Sequence, residues 1–576
     1  MEITNVSAKH YLLICEIGPV FDFVRHCRKT KDYWAASFLF SYFMAQVANR
    51  VEAEGAEVFL PYLKDNPMVT GKGNIDAGSV PDQLYFLLNA ENKEKIRVLL
   101  KTVIKNIIDY LKPKIEEAIK EKERKTVFLN AGEVNEFFNF FYIIHPIKKD
   151  HPTHEEYYDE FIEAERKIRM RAAFRPFEQS TSSLPINKWE KCNLCGDRKK
   201  VHEIEKIDSD STFLSVERIC SVCLLKRYLP EAAKDINVNI IAPTGDYRYE
   251  STSDIALRPV KECIEKADEE IKNEYNKFIN ECKNESKDID LSEGRYFYDP
   301  DFRNKFTGWK KKIVEKYPEK TELKWLNRPF YAIVYMDGDN MGDVLKQKAN
   351  NFQPYISKVS KLLSKFLNGV NKIITDHCGQ LIFAGGEDVI FVIHPEYLLD
   401  CINELQKEYN ALFTKEELTK SMADKFTLSA GAIACYHKYP LSEAIRRAGV
   451  MLKDHAKKHK GKNATAISLI KGHTEALNLT FSNNSIGNLK KLKECLIKSD
   501  ISRTTPYRIT EHKELFEFIT DADLRKNYLY TIIAGTRNPE KINPSIEEMV
   551  NLLMSFGDTE TMIDALLFTR FMSGDR

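Results

Sequence analysis

The chain has 576 residues with 86 Lys+Arg against 85 Asp+Glu, which is too long for one ordinary hydrophobic core and predicts roughly three to five lobes. A formal charge of +1 argues against a protein that grips nucleic acid over its whole surface, while leaving room for local basic patches. No uncharged apolar run approaches a membrane span, and the start MEITNVSAKHYLLICEIGPV has neither a basic segment ahead of a long apolar core nor a cleavage site, so a cytoplasmic protein without membrane contact is expected.

In chain order, an apolar strand around Tyr11 to Ile17 turns at Gly18-Pro19 and continues with amphipathic helical spacing, a strand-turn-helix start. A charged helical stretch from Lys101 to Lys125, the aromatic run VNEFFNFFYIIHP and the basic helix AERKIRMRAAFRPFEQ follow, and the first domain is expected to end near Leu184. Two CxxC knuckles come next, Cys192/Cys195 and Cys220/Cys223. Twelve cysteines in a long cytosolic chain do not read as a disulfide framework. The two knuckles do read as four thiolates around one tetrahedral Zn²⁺, a closed site with a structural role. Cys15, Cys435 and the other cysteines read as core. Residues from about Asp254 to Thr321 are Lys/Glu-rich and helical, the pattern of a solvated spacer.

Pro329 marks a new beginning. FYAIVYMDGDNMGDVL gives a strand and an acidic turn, and Phe352, Tyr355, Ile356, Val359, Leu362, Phe366 and Val370 recur at helical spacing. The hairpin LIFAGGEDVIFVI, the strand FTLSAGAIACY and the helix LSEAIRRAGVMLKDHAKKHKGKN complete a ferredoxin-like βαββαβ order. After about residue 475 the pattern reads as helical to the end. The expected fold is therefore α+β, with two ferredoxin-like palm domains, a zinc-binding helical domain between them and a C-terminal α-helical domain. The expected boundaries are 1–184, a first palm without catalytic acids; 185–325, the zinc-binding and helical domain; 326–472, the catalytic palm; and 473–576, the helical lobe.

Glu387 and Asp388 interrupt an apolar hairpin side by side. Burying either carboxylate unpaired costs several kcal/mol, so the turn calls for a positive occupant, most simply a metal ion. In a ferredoxin-like sheet, Asp337 at the end of the first strand meets that turn. Hard divalent ions take carboxylate oxygens, and two Mg²⁺ or Mn²⁺ ions held there activate an attacking hydroxyl and stabilise a leaving pyrophosphate. Gly385 and Gly386 allow positive φ and close approach of a triphosphate. Asp339 and Asp343 read either as supporting acids or as helix N-terminal residues favoured by the dipole, the latter preferred for Asp343. Lys457 and Lys462 offer charge to a triphosphate, with a basic helix end as the alternative reading of Lys457. No histidine cluster with metal-nuclease spacing occurs.

The segment EIGPVFDFVRHCRKTKDYWAASFLFSYF, the CNLCG and CSVC knuckles, MDGDNMG, GGED and HKYPLSEAIRRA with AKKHKGKNA together resemble the large subunit of type III-B (Cmr) CRISPR effector complexes. The resemblance runs from Tyr11 to about Ile470. It implies two facing palms, the second with a GGDD signature, that polymerise ATP into cyclic oligoadenylate when target RNA binds the complex. Asp337 then matches the first-strand metal ligand, with Gly338 beside it in the metal set, and Glu387 and Asp388 match the two acids. Lys457 matches a phosphate-binding lysine, and Gly18 and Ser37 become close-approach positions for a second nucleotide on the first palm. The implied partners are the other protein subunits, guide RNA and target RNA, with ATP as substrate. Two departures stand out. No His-Asp nuclease segment precedes the first palm, so DNase activity is expected to be missing. Glu387 replaces the usual Asp, which moves the carboxylate outward by about 1.5 Å. Some relatives without that nuclease resemble enzymes joining AMP to S-adenosylmethionine, so the acceptor, ATP or S-adenosylmethionine, stays open. The rival reading is a catalytically silent scaffold, against which the intact Asp337 speaks.

Overall fold

The computed structural model describes residues 10–72, 75–173, 190–207, 214–232, 249–285, 292–472, 474–498, 504–535 and 544–574. In the N-terminal unit, β1 (His10–Gly18), β2 (Glu57–Leu60), β3 (Gln83–Asn89) and β4 (Asn139–Pro146) form a sheet of order β2-β3-β1-β4. The Thr30–Ala53 helix lies between β1 and β2, and the Val103–Glu123 helix between β3 and β4. In β3, Leu84, Phe86 and Leu88 alternate into the core, the period-2 signature of a half-buried strand. The Thr30–Ala53 helix is buried almost all round, which its run WAASFLFSYFMAQVA anticipates, because a helix apolar on every side must be covered on every side.

A two-stranded hairpin, β5 (His202–Ile207) and β6 (Leu214–Ile219), follows. The larger sheet contains β7 (Phe330–Gly338), β8 (Gln380–Gly385), β9 (Asp388–Ile393), β10 (Leu428–Tyr436), β11 (Ala464–Lys471) and β12 (Thr474–Ser482), in the order β12-β11-β10-β7-β9-β8. Its portion β8-β9-β7-β10 repeats the strand order of the N-terminal sheet, with the Phe352–Asp376 and Pro395–Thr414 helices as crossovers. Both four-stranded portions therefore have the βαββαβ order expected from the sequence. β10 is buried at every position but its last, and its run of small and apolar residues suits a strand covered on both faces.

The two units are fused. Gly78, in the connection between β2 and β3, accepts from Ala384 N at 3.0 Å and so extends the β8 edge. A β-carbon on Gly78 would stand 2.7 Å from Ser41 Oγ and 3.0 Å from Ser37 O, which fixes glycine where this connection threads between helix and sheet. Tyr33 donates its hydroxyl to Tyr335 on β7 at 2.6 Å. One continuous hydrophobic cluster runs from Leu13 to Met572.

Three sequence expectations are corrected. Residues after 475 do not begin as helix: β12 pairs antiparallel with β11 after a left-handed Gly472 (φ 72°), so the larger sheet runs to Ser482, beyond the expected boundary at 472. Leu477, Leu479 and Phe481 alternate inward, a period-2 signal that the surrounding helices masked. The stretch from Asp254 to Thr321 is not a solvated spacer. Its Glu269–Glu285 helix buries Ile271, Tyr275, Ile279 and Cys282 as one stripe, and Tyr275 meets Trp309 at a centroid distance of 5.2 Å. Abundant Lys and Glu cover the outer faces and concealed that stripe. Nor is 185–325 one body. The Ser221–Ala232 helix packs on the N-terminal unit, and Arg28 donates to Asn193 O of the first knuckle, whereas the Thr252–Glu265 helix packs on β7. The expected boundary at 184 lies outside the described residues.

A buried ion triad fastens the cysteine hairpin to the core. Arg227 grips Asp32 with Nε to Oδ1 at 2.5 Å and Nη2 to Oδ2 at 2.9 Å, and reaches Glu217 at 3.0 Å. Burial pushes the Asp32 carboxyl up, but Arg227 more than offsets this and leaves it at about 2. A carboxylate depressed in the folded state contributes stability above its unfolded value, and that contribution is lost as the pH falls toward 2. Asp32→Ala, which leaves Arg227 half-paired in the core, is expected to cost about 3 kcal/mol. A urea titration at pH 7 measures it, and the deficit should shrink below pH 3 as the wild-type carboxylate protonates.

Candidate active site

β8 and β9 join through Gly386 and Glu387 alone, since Gly385 pairs with Asp388. Gly386 has φ 66°, as the first central position of a type II′ turn requires, and its missing side chain faces open space. Gly385 is constrained differently, because a β-carbon there would stand 2.6 Å from the Phe383 ring. The next strand over, β7, ends in Asp337 and Gly338. The Glu387 carboxyl folds over Gly338, where a β-carbon would lie 2.9 Å from Glu387 Cδ.

Glu387 Oε2 is buried without a hydrogen-bond partner. Burial first, then the charges of Asp337 and Asp388, push Glu387 up to about 8. Asp388 stands at the crevice mouth, yet burial, Asp337 and then Asp82 push it to about 8 as well. Lys457 is the opposing cation. Its Nζ lies 3.0 Å from Asp337 Oδ2 and 3.0 Å from Asp339 Oδ1, donates to Asp337 O at 3.0 Å, and donates to Gly338 O. Asp337, Glu387 and Asp388 are thus neighbours around the ends of β7 and β9 without closing into one ligand set. Among the described residues, the only groups with three or more ligand atoms within 4.8 Å of one another are the four cysteines and His145, Glu160 and Glu163. The latter group is neutralised by Lys148 and Lys167.

Sequence reasoning did not foresee how Lys457 is held. Asp339 is fully buried and accepts from Thr427 Oγ1 at 2.8 Å, Ser429 Oγ at 2.9 Å and Asn463 N at 3.0 Å. It is a supporting acid, whereas Asp343 lies in the first turn of the Met341–Gln347 helix, as preferred from the sequence. The alternation of Thr427 and Ser429 ahead of an apolar strand was the available hint. A π-helical turn, Met451–His455, aims Lys457 inward, and Gly431 makes room for it, since a β-carbon there would stand 2.6 Å from Leu452 Cα.

The remaining candidates separate. Lys462 sits half-exposed with φ 53° in the left-handed run Gly461–Asn463, away from the hydrogen bonds of the acid crevice. Gly18 ends β1 as Gly338 ends β7, with Val20 N 4.0 Å from its β-carbon position, and Ile17 stands where Asp337 stands in the larger sheet. Ser37 is 6% exposed beneath Gly78, so as a surface for a nucleotide it is covered by the chain itself. Beside Gly386 lies a cavity of about 160 Å³ bounded by Tyr62, Asp76, Gly78, Leu367 and Asn371. Asn371 donates to Asp76 Oδ2 at 2.7 Å across it.

The Sγ atoms of Cys192, Cys195, Cys220 and Cys223 all lie within 4.8 Å of one another. A left-handed Gly196 (φ 73°) closes the first knuckle, and Asn193 N donates to Arg218 O at 2.7 Å to bring it against the second. Hydrogen bonds from Cys192, Cys220 and Cys223 hold the Cys195 thiol far below its usual value, and Cys192 and Cys195 push Cys220 and Cys223 up. Four thiols competing in this way for protons are a donor set that fits a soft tetrahedral cation.

The family model for the second palm domain of Cas10/Cmr2 matches residues 330–466, and that for the Cmr2 N-terminal region matches residues 12–127. In these two regions the chain is similar to the Cas10/Cmr2 subunits of type III-B CRISPR systems. It is 26% identical to the Cmr subunit Cmr2 of Pyrococcus furiosus over 560 residues, covering 80% of this chain and 61% of that protein. In fold it is similar to the type III-B Cmr-beta complex in its apo state (TM-score 0.67, 14% identity, 99% of this chain and 82% of that one). The same complex bound to cognate target RNA gives a TM-score of 0.63 at 14% identity, over 99% and 84% of the chains. The Csm1–Csm4 cassette in complex with cA4 gives 0.50 at 10% identity, over 98% and 70%.

Two outcomes are expected at these centres. Carboxyls whose pKa is raised by folding hold protons in the folded state, so their contribution is lost as the pH rises through about 8. Without divalent cations, Glu387→Gln with Asp388→Asn should therefore raise the melting temperature at pH 8 by about 2 °C or more and leave it unchanged at pH 4. Protein purified without chelator should carry one zinc by metal analysis, and Cys192→Ser with Cys223→Ser should lose both the zinc and several degrees of melting temperature.

Proposed function

We propose that the chain is the nucleotidyltransferase subunit of a type III-B CRISPR effector complex, making cyclic oligoadenylate from ATP when target RNA binds. The observation that carries this reading is the crevice itself: an unpartnered, buried Glu387 oxygen over Gly338, beside Asp337 and Asp388, with a single lysine opposing them. Such a donor set fits two hard divalent cations, Mg²⁺ or Mn²⁺, held by Asp337, Gly338, Glu387 and Asp388. When bound, such ions lower the pKa of an attacking 3′-hydroxyl and neutralise the departing pyrophosphate.

The chain's own part is placement. Gly386 lets phosphates approach the turn backbone, and Lys457 adds charge to the triphosphate. The cavity bounded by Tyr62 and Asn371 has the apolar walls and the few polar groups that a nucleobase needs. The product class is supported by the shared fold of the Csm1–Csm4 cassette solved with cA4. The zinc is structural in this reading, since four thiolates leave no open position. The partners are the other subunits of the complex, guide RNA and target RNA, as the fold shared with the target-RNA-bound Cmr-beta complex supports. A cytoplasmic location accords with the described residues, none of whose helices is long and apolar enough to cross a membrane. The working division is a first palm to about 184, a zinc-binding and helical stretch to 325, a catalytic palm from 326 extended to Ser482 by β12, and a helical end.

The test is mass spectrometry of products formed by the assembled complex with target RNA, ATP and S-adenosylmethionine. Glu387→Gln with Asp388→Asn should lower product formation by at least about 100-fold, equivalent to roughly 3 kcal/mol of transition-state stabilisation. Complex assembly and target-RNA binding should be unchanged. An unaltered rate in the double variant makes the palm a scaffold, and adenylylated S-adenosylmethionine reassigns the acceptor while keeping the transfer.

A further inference from the structure

The Lys457 ammonium stands in the crevice as a metal would, with four oxygens around one nitrogen: Asp337 Oδ2, Asp339 Oδ1 and the carbonyls of Asp337 and Gly338. An ammonium has three protons, so it cannot serve four acceptors equally. Three of those oxygens belong to Asp337 and Gly338, the residues assigned to the metal set under Proposed function, on which this inference rests. A divalent cation held by these residues would take the same oxygens as ligands. It and an ammonium donating to the same atoms exclude each other. The other flank of the crevice is different, because Glu387 Oε2 has no partner and Asp388 faces solvent.

We infer that Lys457 is a tethered counter-cation standing at one of the two ion positions proposed for this crevice, and that a triphosphate admits the second divalent ion by drawing Lys457 away. The fold supplies both ends of this movement. Asp339, saturated by Thr427, Ser429 and Asn463, keeps an anchor for the lysine that is not surrendered to metal. The π-helical turn Met451–His455, followed by the short Ala456–Lys458 turn, carries the side chain on irregular backbone rather than on a rigid helix. Nucleotide and metal then bind cooperatively, since each removes the obstacle to the other. A metal ion alone finds one flank open. The nucleotide-free crevice therefore stays poorly loaded and unreactive toward other phosphate compounds.

The experiment measures Mn²⁺ binding to the full chain by electron paramagnetic resonance, with and without a non-hydrolysable ATP analogue. Lys457→Met and Lys457→Gln are compared with Lys458→Met, which removes an exposed neighbouring charge paired with Asp454. Melting curves check that each variant is folded. In the wild type, the analogue should raise Mn²⁺ affinity at least tenfold. Both Lys457 variants should bind Mn²⁺ at least fivefold more tightly without nucleotide, should bind the analogue more weakly, and should lose most of its enhancement of metal binding. Lys458→Met should stay within twofold of wild type. Unchanged or weaker nucleotide-free Mn²⁺ binding in the Lys457 variants overturns the inference, even where analogue binding falls, because the lysine is then only a phosphate ligand. An equal gain in Lys458→Met overturns it too, as an effect of general charge. Failure of the underlying site reading looks different: wild type and the Glu387→Gln, Asp388→Asn variant would bind Mn²⁺ identically in every condition.

Discussion

Carboxylates crowded into a poorly solvated crevice cannot all stay ionised without a cation, and the geometry around β7 and β9 follows from that constraint. The tight β8–β9 turn leaves Glu387 and Asp388 side by side, and the antiparallel register of β7 with β9 delivers Asp337 to them. The Glu387 carboxyl lies over Gly338, where a side chain would otherwise begin. The fold answers with Lys457, and it fixes that lysine by burying Asp339 among donors from β10 and the approach to β11. Loss of any of these elements leaves like charges facing one another.

The two sheets share a strand order and differ in chemistry. β1 and β7 each end in glycine, but Ile17 occupies the position of Asp337. The tight acidic turn of the larger unit is replaced in the N-terminal unit by the long connection between Leu60 and Gln83. That connection lies along the β8 edge through Gly78 and forms one wall of the cavity beside Gly386. One unit carries the acids, and the other shapes the space in front of them.

The cysteine hairpin lies outside this crevice yet bears on it mechanically. Through Arg227 it clamps Asp32 at the start of the Thr30–Ala53 helix, and Tyr33 on the same helix donates to Tyr335, two residues before Asp337 on β7. A run of polar contacts thus leads from Glu217 on β6 through Arg227 and Asp32 to Tyr33 and on to β7. Buried and satisfied, such contacts are costly to rearrange, so they hold the helix at a fixed height over the sheet.

The sequence by itself determined β7, the acidic hairpin, the long amphipathic helix after it, the cysteine knuckles and the βαββαβ order. Each is written in neighbouring residues: a period of two or 3.6, a Gly-Gly turn, a fixed CxxC gap. It also singled out Asp337, Glu387 and Asp388 as candidates, because charges inside an apolar run suggest a site. Only the tertiary structure decided the rest. It made Ser37 a covered position under Gly78, turned the Lys/Glu-rich stretch into packed core, and made a strand of Thr474–Ser482 by offering it β11 as a partner. It set Lys457 among Asp337, Asp339 and two carbonyls, atoms separated from it by more than a hundred residues of chain. Local pattern fixes what a segment is able to be, but pairing, cover and counter-charge come from residues distant in sequence, and no local period encodes those distances.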